Sequence, residues 1–146
     1  ERHPDLRVAI TEGSGDWVPP FLATADRNFT ETHISAKMGD FTSHLSMKPS
    51  EYFRRNVAVG TSLLKRAEVE QRAEIGLESI MWGTDYPHPE GCWPNTEADR
   101  RALLEDIPEE DVAAMLGGNA ARFYKLDVEA LKPLAERIGP DQNDFA

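Results

Sequence analysis

The stretch Ser79-Ile80-Met81-Trp82-Gly83-Thr84-Asp85-Tyr86-Pro87-His88-Pro89 decides how the rest of this chain is interpreted. A short apolar run ends at a small residue, a carboxylate follows it, and two prolines then enclose a histidine. The run predicts a buried strand over Ser79 to Thr84, because short apolar segments bounded by turn residues are typical of buried sheets. Asp85 is then either a turn residue before proline or a catalytic carboxylate at the carboxyl end of a strand.

Two further segments have the character of strands. Leu6 to Glu12 alternates and is rich in branched residues, and Asn56 to Thr61 is a second short apolar run. Segments of helical length separate the three predicted strands and follow the last of them. Strands that alternate with helices predict parallel βα units. The predicted fold class is therefore α/β. The predicted helices cover about 17–28, 49–55, 63–75, 96–106, 108–116, 120–124 and 128–137.

Three strands cannot close a (β/α) barrel, which needs eight strands and about 250 residues. The 146 residues therefore form either a small open α/β sheet or the C-terminal piece of a larger barrel. The chain opens at Glu1 without a methionine, and His3-Pro4 is typical of the exit from a helix. We therefore expect the chain to begin within a fold.

Composition excludes several classes of partner. The net charge of −10 argues against nucleic-acid binding and against a basic patch for membranes. No apolar run approaches the roughly 20 residues of a membrane-spanning helix, and no signal-peptide pattern opens the chain. Cys92 is the only cysteine, so an internal disulfide is impossible. We therefore expect a cytoplasmic protein that binds neither nucleic acid nor a membrane.

Four motifs occur in an order and spacing that resemble one known family. The motifs are Leu6–Trp17 with its Glu12-Gly13-Ser14-Gly15 turn, Pro49–Phe53, Gly83–His88 and Gly118–Arg122. Together they resemble the C-terminal part of the amidohydrolase-related family, in the branch that includes aminocarboxymuconate-semialdehyde decarboxylase. The resemblance implies that residues 1–146 are the C-terminal portion of one TIM-type barrel domain, with its strands six to eight.

The resemblance also implies a divalent metal, most often Zn²⁺. Family members bind it through a His-x-His pair on the first strand, a histidine on the fifth, and an aspartate that ends the eighth, which corresponds to Asp85. The metal lowers the pKa of a bound water towards about 7. The chain contains no His-x-His pair and so supplies one expected ligand. We therefore predict that it binds zinc weakly or not at all when alone, and that the remaining ligands lie outside it.

Two residues near Asp85 are further candidates for catalysis. By the resemblance, Glu12 corresponds to a position where the decarboxylases carry a histidine. Glu12 is therefore a candidate acid or base, and a glutamate at this position leaves hydrolysis open. The alternative is a solvated glutamate at the end of a strand. His88 lies between Pro87 and Pro89, which suits either a fixed contact with substrate or an exposed imidazole on a rigid loop.

Two classes of function follow. The first is a metal-dependent hydrolase acting on a small cyclic or carboxylated substrate, with non-oxidative decarboxylation as the alternative within the same family; the fragment alone would be inactive. The second is a non-catalytic, truncated α/β module. Open sheet edges and the polar segment Phe29 to Lys48 predict a contact with the rest of a barrel or with a second copy, as a homodimer. We expect strand side chains such as Val8, Val59 and Ile80 to face the missing units.

Overall fold

The computed structural model describes residues 2–31, 39–40 and 42–139, and within them the predicted parallel sheet is confirmed. Its strands are β1 (Val8–Thr11), β2 (Val57–Thr61) and β3 (Ile80–Trp82), in the order β1-β2-β3. Both pairs are parallel, and Ile10, Val59 and Ile80 lie side by side across the sheet. Residues 32–38 and 41 of the polar segment that we predicted as a contact surface lie outside the described residues.

Helices follow each strand, as expected for βα units. None of the described helices is long and apolar enough to cross a membrane. Their bounds are α1 (Val18–Thr30), α2 (Pro49–Asn56), α3 (Arg66–Glu70), α4 (Arg72–Ile75), a 3₁₀ turn (Leu77–Ser79), α5 (Thr96–Leu104), α6 (Glu109–Ala113), a π-helical turn (Ala114–Gly118), α7 (Asn119–Tyr124) and α8 (Val128–Ile138).

Three helix predictions were wrong in detail. The helix predicted over 63–75 begins later and is divided, because the backbone at Gln71 leaves helical geometry with ψ 10°. The helix that was predicted to end before Gly117-Gly118 continues through this pair, since Gly118 keeps the helical angles φ −57° and ψ −42°. Burial of Met115 and Asn119 on either side of the pair holds this turn in place and outweighs the low helix propensity of glycine. Pro133 predicts that the last helix is kinked or split, and the helix is not split, because α8 is continuous from Val128 to Ile138.

The hydrophobic core lies between one face of the sheet and the helices. Val59 and Ile80 are fully buried there against helix residues such as Val18, Phe53 and Met115. Our prediction that Val59 and Ile80 face missing units was therefore wrong, because the chain's own helices fold back onto this face. Val8, in contrast, is 45 % exposed on β1. In the described part of the chain, β1 and β3 each have one edge without a neighbouring strand.

Candidate active site

The structure brings the three predicted site residues together at one edge of the sheet. Glu12 directly follows β1 and Asp85 lies just after β3, so both are at the carboxyl ends of parallel strands. His88 Nδ1 is 3.4 Å from Asp85 Oδ2 and 3.9 Å from Glu12 Oε1. One ligand atom from each residue lies within 4.8 Å of the other two. The prediction that Glu12 and Asp85 share one rim therefore agrees with the structure.

Both carboxylates occupy unusual backbone positions. Glu12 has φ 55° and Asp85 has φ 58°, in the left-handed region that costs about 1–2 kcal/mol for a residue with a Cβ. The other described non-glycine residues with positive φ, Asp106 and Lys125, are in turns that follow α5 and α7. Left-handed residues outside such turns are common at functional sites, where the surroundings hold them.

The loop after β3 folds tightly enough to hold His88 beside Asp85. The His88 amide donates to the Asp85 carbonyl at 2.8 Å, and the Cys92 amide donates to the Thr84 carbonyl at 3.1 Å. Gly91 lies where these turns meet, and a Cβ there would be 2.7 Å from the Thr84 oxygen and 3.0 Å from the Asp85 oxygen. The loop therefore requires glycine at position 91, a constraint that the sequence analysis missed.

A buried glutamate connects the loops after β1 and β2. Glu68 is 2 % exposed, although it belongs to a segment that reads as a charged surface helix. Its Oε1 accepts a hydrogen bond from the Gly15 amide, and its Oε2 accepts one from the Lys65 amide at 2.9 Å. The loop that carries Glu12 is therefore held to the loop after β2. Sequence reasoning missed Glu68 because nothing distinguishes it from the acids around it.

The three site residues open onto a cavity of about 380 Å³. The Asp85 side chain is 11 % exposed, whereas those of His88 and Glu12 are 53 % and 68 % exposed. Asp85 is therefore the most enclosed of the three. The lining consists of Glu12, Gly13, Ser14, Ser62, Leu63, Lys65, Asp85, His88 and Glu90. Ser62 and Lys65 were not predicted, although both lie in the loop after β2, whose carboxyl end is at the site.

Other residues that the sequence singled out have structural surroundings. Cys92 Sγ lies 3.5 Å from Thr96 Oγ1 and 3.6 Å from the Thr84 carbonyl, within hydrogen-bonding reach of both. Trp93 is 66 % exposed and contacts Tyr86 edge to face, so it does not belong to the core.

The Gly118–Arg122 motif fastens a helix to the sheet. Asn119 is 1 % exposed, and its Nδ2 donates to the carbonyls of Leu77 and Ile80, each at 2.7 Å. Arg122 Nη2 donates to the Glu78 carbonyl at 2.7 Å. These contacts lie at the amino end of β3, opposite to the Asp85 end. The motif therefore stabilises the packing of α7 rather than contributing to the site.

The site residues fit a divalent metal ion. Ligands about 2.0–2.2 Å from a tetrahedral zinc ion are about 3.3–3.6 Å apart from one another. The Asp85–His88 separation of 3.4 Å falls in this range, whereas the 3.9 Å from His88 to Glu12 exceeds it, so the exposed Glu12 side chain would have to move closer to bind the same ion. Two carboxylates and one imidazole suit Zn²⁺, Mn²⁺ or Fe²⁺. The chain thus offers three candidate donors where the sequence predicted one.

Comparisons with known proteins identify the family. No curated protein sequence matches the chain. The chain resembles the crystal structure of 5-carboxyvanillate decarboxylase from Sphingomonas paucimobilis, a TIM-barrel enzyme, with TM-score 0.64 and 32 % identity over 85 % of this chain. It spans 35 % of that enzyme's length. A family model described as Amidohydrolase matches residues 1–126. Because this match covers most of the 146 residues, the chain belongs to the amidohydrolase family.

Proposed function

We propose that this chain supplies the sixth to eighth βα units of a (β/α)₈ barrel and part of a zinc site at their carboxyl ends. The cluster of Glu12, Asp85 and His88 is the observation that carries the proposal. Active sites of such barrels lie at the carboxyl ends of the strands, where these residues are found. Family membership and the partial match to a larger enzyme support the same assignment.

In this proposal the reaction is the hydrolysis of a small cyclic or carboxylated substrate. A bound divalent ion acidifies a water molecule and polarises an oxygen of the substrate. Asp85, the most enclosed of the three, would hold the ion and would also serve as the proton acceptor. Glu12 and His88 face the cavity and transfer protons or orient the substrate.

Non-oxidative decarboxylation is the second candidate. It is supported by the 32 % identity to 5-carboxyvanillate decarboxylase over 85 % of this chain. In this reaction a proton must replace the departing carboxylate on carbon, and Glu12 or His88 is placed to donate it. Because Glu12 can transfer protons in either case, it is compatible with both hydrolysis and decarboxylation.

The experiment uses the full-length polypeptide that carries these residues, loaded with Zn²⁺ or Mn²⁺. Two probes separate the reactions, since dihydrocoumarin reports ring-opening hydrolysis and 5-carboxyvanillate labelled in its carboxyl groups reports release of carbon dioxide. We expect turnover of one probe, reduced about 100-fold or more by Asp85→Asn. Glu70→Gln, on an exposed face of α3, serves as control. A folded, metal-loaded protein without activity on either probe, or on related lactones and carboxylated phenols, would favour a non-catalytic module.

The proposal includes an assembly and a location. The chain pairs with the remaining units of its barrel or with a second copy, as a homodimer, through its open edges at β1 and β3. The single, unpaired Cys92 suits a reducing cytoplasm.

A further inference from the structure

We propose that Lys65 is a specificity-determining residue that binds the anionic group of a carboxylated substrate. This inference rests on the proposed function and adds the chemical class of the substrate to it. Lys65 lies in the loop after β2, at the carboxyl edge of the sheet. It lines the same cavity of about 380 Å³ as Glu12, Asp85 and His88.

The charges around the cavity support Lys65 as the residue that binds the anionic group of the substrate. The lining carries three carboxylates, Glu12, Asp85 and Glu90, and Lys65 is the one lysine or arginine among its residues. No ion pair joins Lys65 to a carboxylate in the part of the chain that the structure describes. A divalent ion offsets two of the three negative charges. An anionic substrate still meets an acidic wall, and the Lys65 ammonium is the group that offsets the remaining charge.

The backbone at Lys65 is fixed to the site. Its amide donates to Glu68 Oε2 at 2.9 Å, and the same buried carboxylate accepts a hydrogen bond from the Gly15 amide in the loop that carries Glu12. The preceding residue, Leu64, is 8 % exposed and belongs to the core. The base of the lysine side chain is therefore held close to the loop that carries Glu12, while the residue as a whole is exposed. Fixing the base in this way lowers the entropic cost of binding.

The test measures binding of a simple anion rather than turnover. Benzoate is titrated into the ¹⁵N-labelled chain with and without Zn²⁺, and amide shifts at Gly13, Ser14 and Leu63 report occupancy of the cavity. The variants are Lys65→Met, Lys65→Arg and Lys125→Met. Lys125 is a matched control, because it is exposed and follows α7, at the other end of the sheet from Asp85. Benzamide serves as the neutral probe of the same shape.

We expect Lys65→Met to weaken benzoate binding by about tenfold or more, the range of a charge-assisted contact. Lys65→Arg and Lys125→Met should leave it within about threefold, and benzamide should bind Lys65→Met and the parent chain alike. Equal benzoate affinity in the parent chain and Lys65→Met, or no benzoate shifts in the cavity, would overturn the proposal. A parallel zinc titration separates the two claims. Loss of zinc binding would contradict the metal site, whereas the benzoate comparison still decides the role of Lys65.

Discussion

Asp85 and Glu12 show how single residues define this site. Each carboxylate adopts a left-handed conformation close to the carboxyl end of a strand, at φ 58° and 55°. A carboxylate at a strand end was visible in the sequence, and so was the histidine between two prolines. The left-handed geometry and the resulting 3.4 Å approach of His88 to Asp85 were not, because they depend on how the loop after β3 closes.

Gly91 gives the sharpest prediction for a single residue. Gly91→Ala places a Cβ 2.7 Å from the Thr84 oxygen and 3.0 Å from the Asp85 oxygen, so the loop must shift. We expect a loss of about 1–3 kcal/mol in the free energy of unfolding, the usual cost of overpacking. Urea unfolding measures it, and zinc affinity should fall as well.

Gly117→Ala is the matched control for this substitution. A Cβ at Gly117 would meet nothing within 4 Å, and the residue lies in a helical turn. Alanine should be neutral there or stabilise by about 0.5–1 kcal/mol. Equal stability of Gly91→Ala and Gly117→Ala would contradict the tight loop described here.

The presence of the strands and helices could be predicted from the sequence better than the positions where they begin and end. Alternation in Leu6 to Glu12 and the apolar run before Thr84 predicted β1 and β3, because their apolar patterns directly reflect burial. The division of the helix at Gln71 and the continuation through Gly117-Gly118 could not be predicted. The continuation through the glycine pair depends on tertiary packing of Met115 and Asn119, which local propensity does not contain.

Glu68 joins two elements through hydrogen bonds that the sequence does not reveal. Glu68→Gln replaces one accepting oxygen by an NH₂ group, which then faces an amide donor from Gly15 or Lys65. A buried donor left without an acceptor costs about 1–3 kcal/mol. We expect that loss in thermal or urea unfolding.

Glu70→Gln provides the comparison on the same helix. Glu70 is 61 % exposed, and its ion pair with Arg66 is a surface contact worth about 0–1 kcal/mol. A loss for Glu68→Gln no larger than that for Glu70→Gln would contradict the connecting role of Glu68.

At the scale of the whole molecule, exposed apolar residues on α8 are the basis for a prediction that the chain associates. Val128, Leu131, Leu134 and Ile138 of α8 are between 41 % and 70 % exposed and follow the spacing of one helical face. Burial of such a face contributes about 25 cal/mol per Å². We expect the chain to form dimers or larger species at micromolar concentration in sedimentation velocity.

A double substitution tests whether α8 carries this contact. Leu131→Glu with Ile138→Glu should shift the chain towards monomer. Lys132→Glu is the control, because it changes the net charge by the same amount as the double substitution. It replaces a lysine that forms an ion pair with Glu129 at 2.8 Å rather than an exposed apolar residue. A chain that is monomeric at every concentration, or equal dissociation by both variants, would contradict this prediction.

The measurement that tests the central claim most directly is a zinc titration by calorimetry on the chelator-stripped chain. The sequence led us to expect weak zinc binding or none, because it predicted a single ligand; the three-residue cluster instead predicts one Zn²⁺ per chain, with affinity reduced about 100-fold or more in Asp85→Ala and about 10-fold in Glu12→Gln or His88→Gln. Glu70→Gln should bind like the parent chain. If folded Asp85→Ala binds zinc as the parent does, or if the folded parent binds none, Glu12, Asp85 and His88 do not form a metal site.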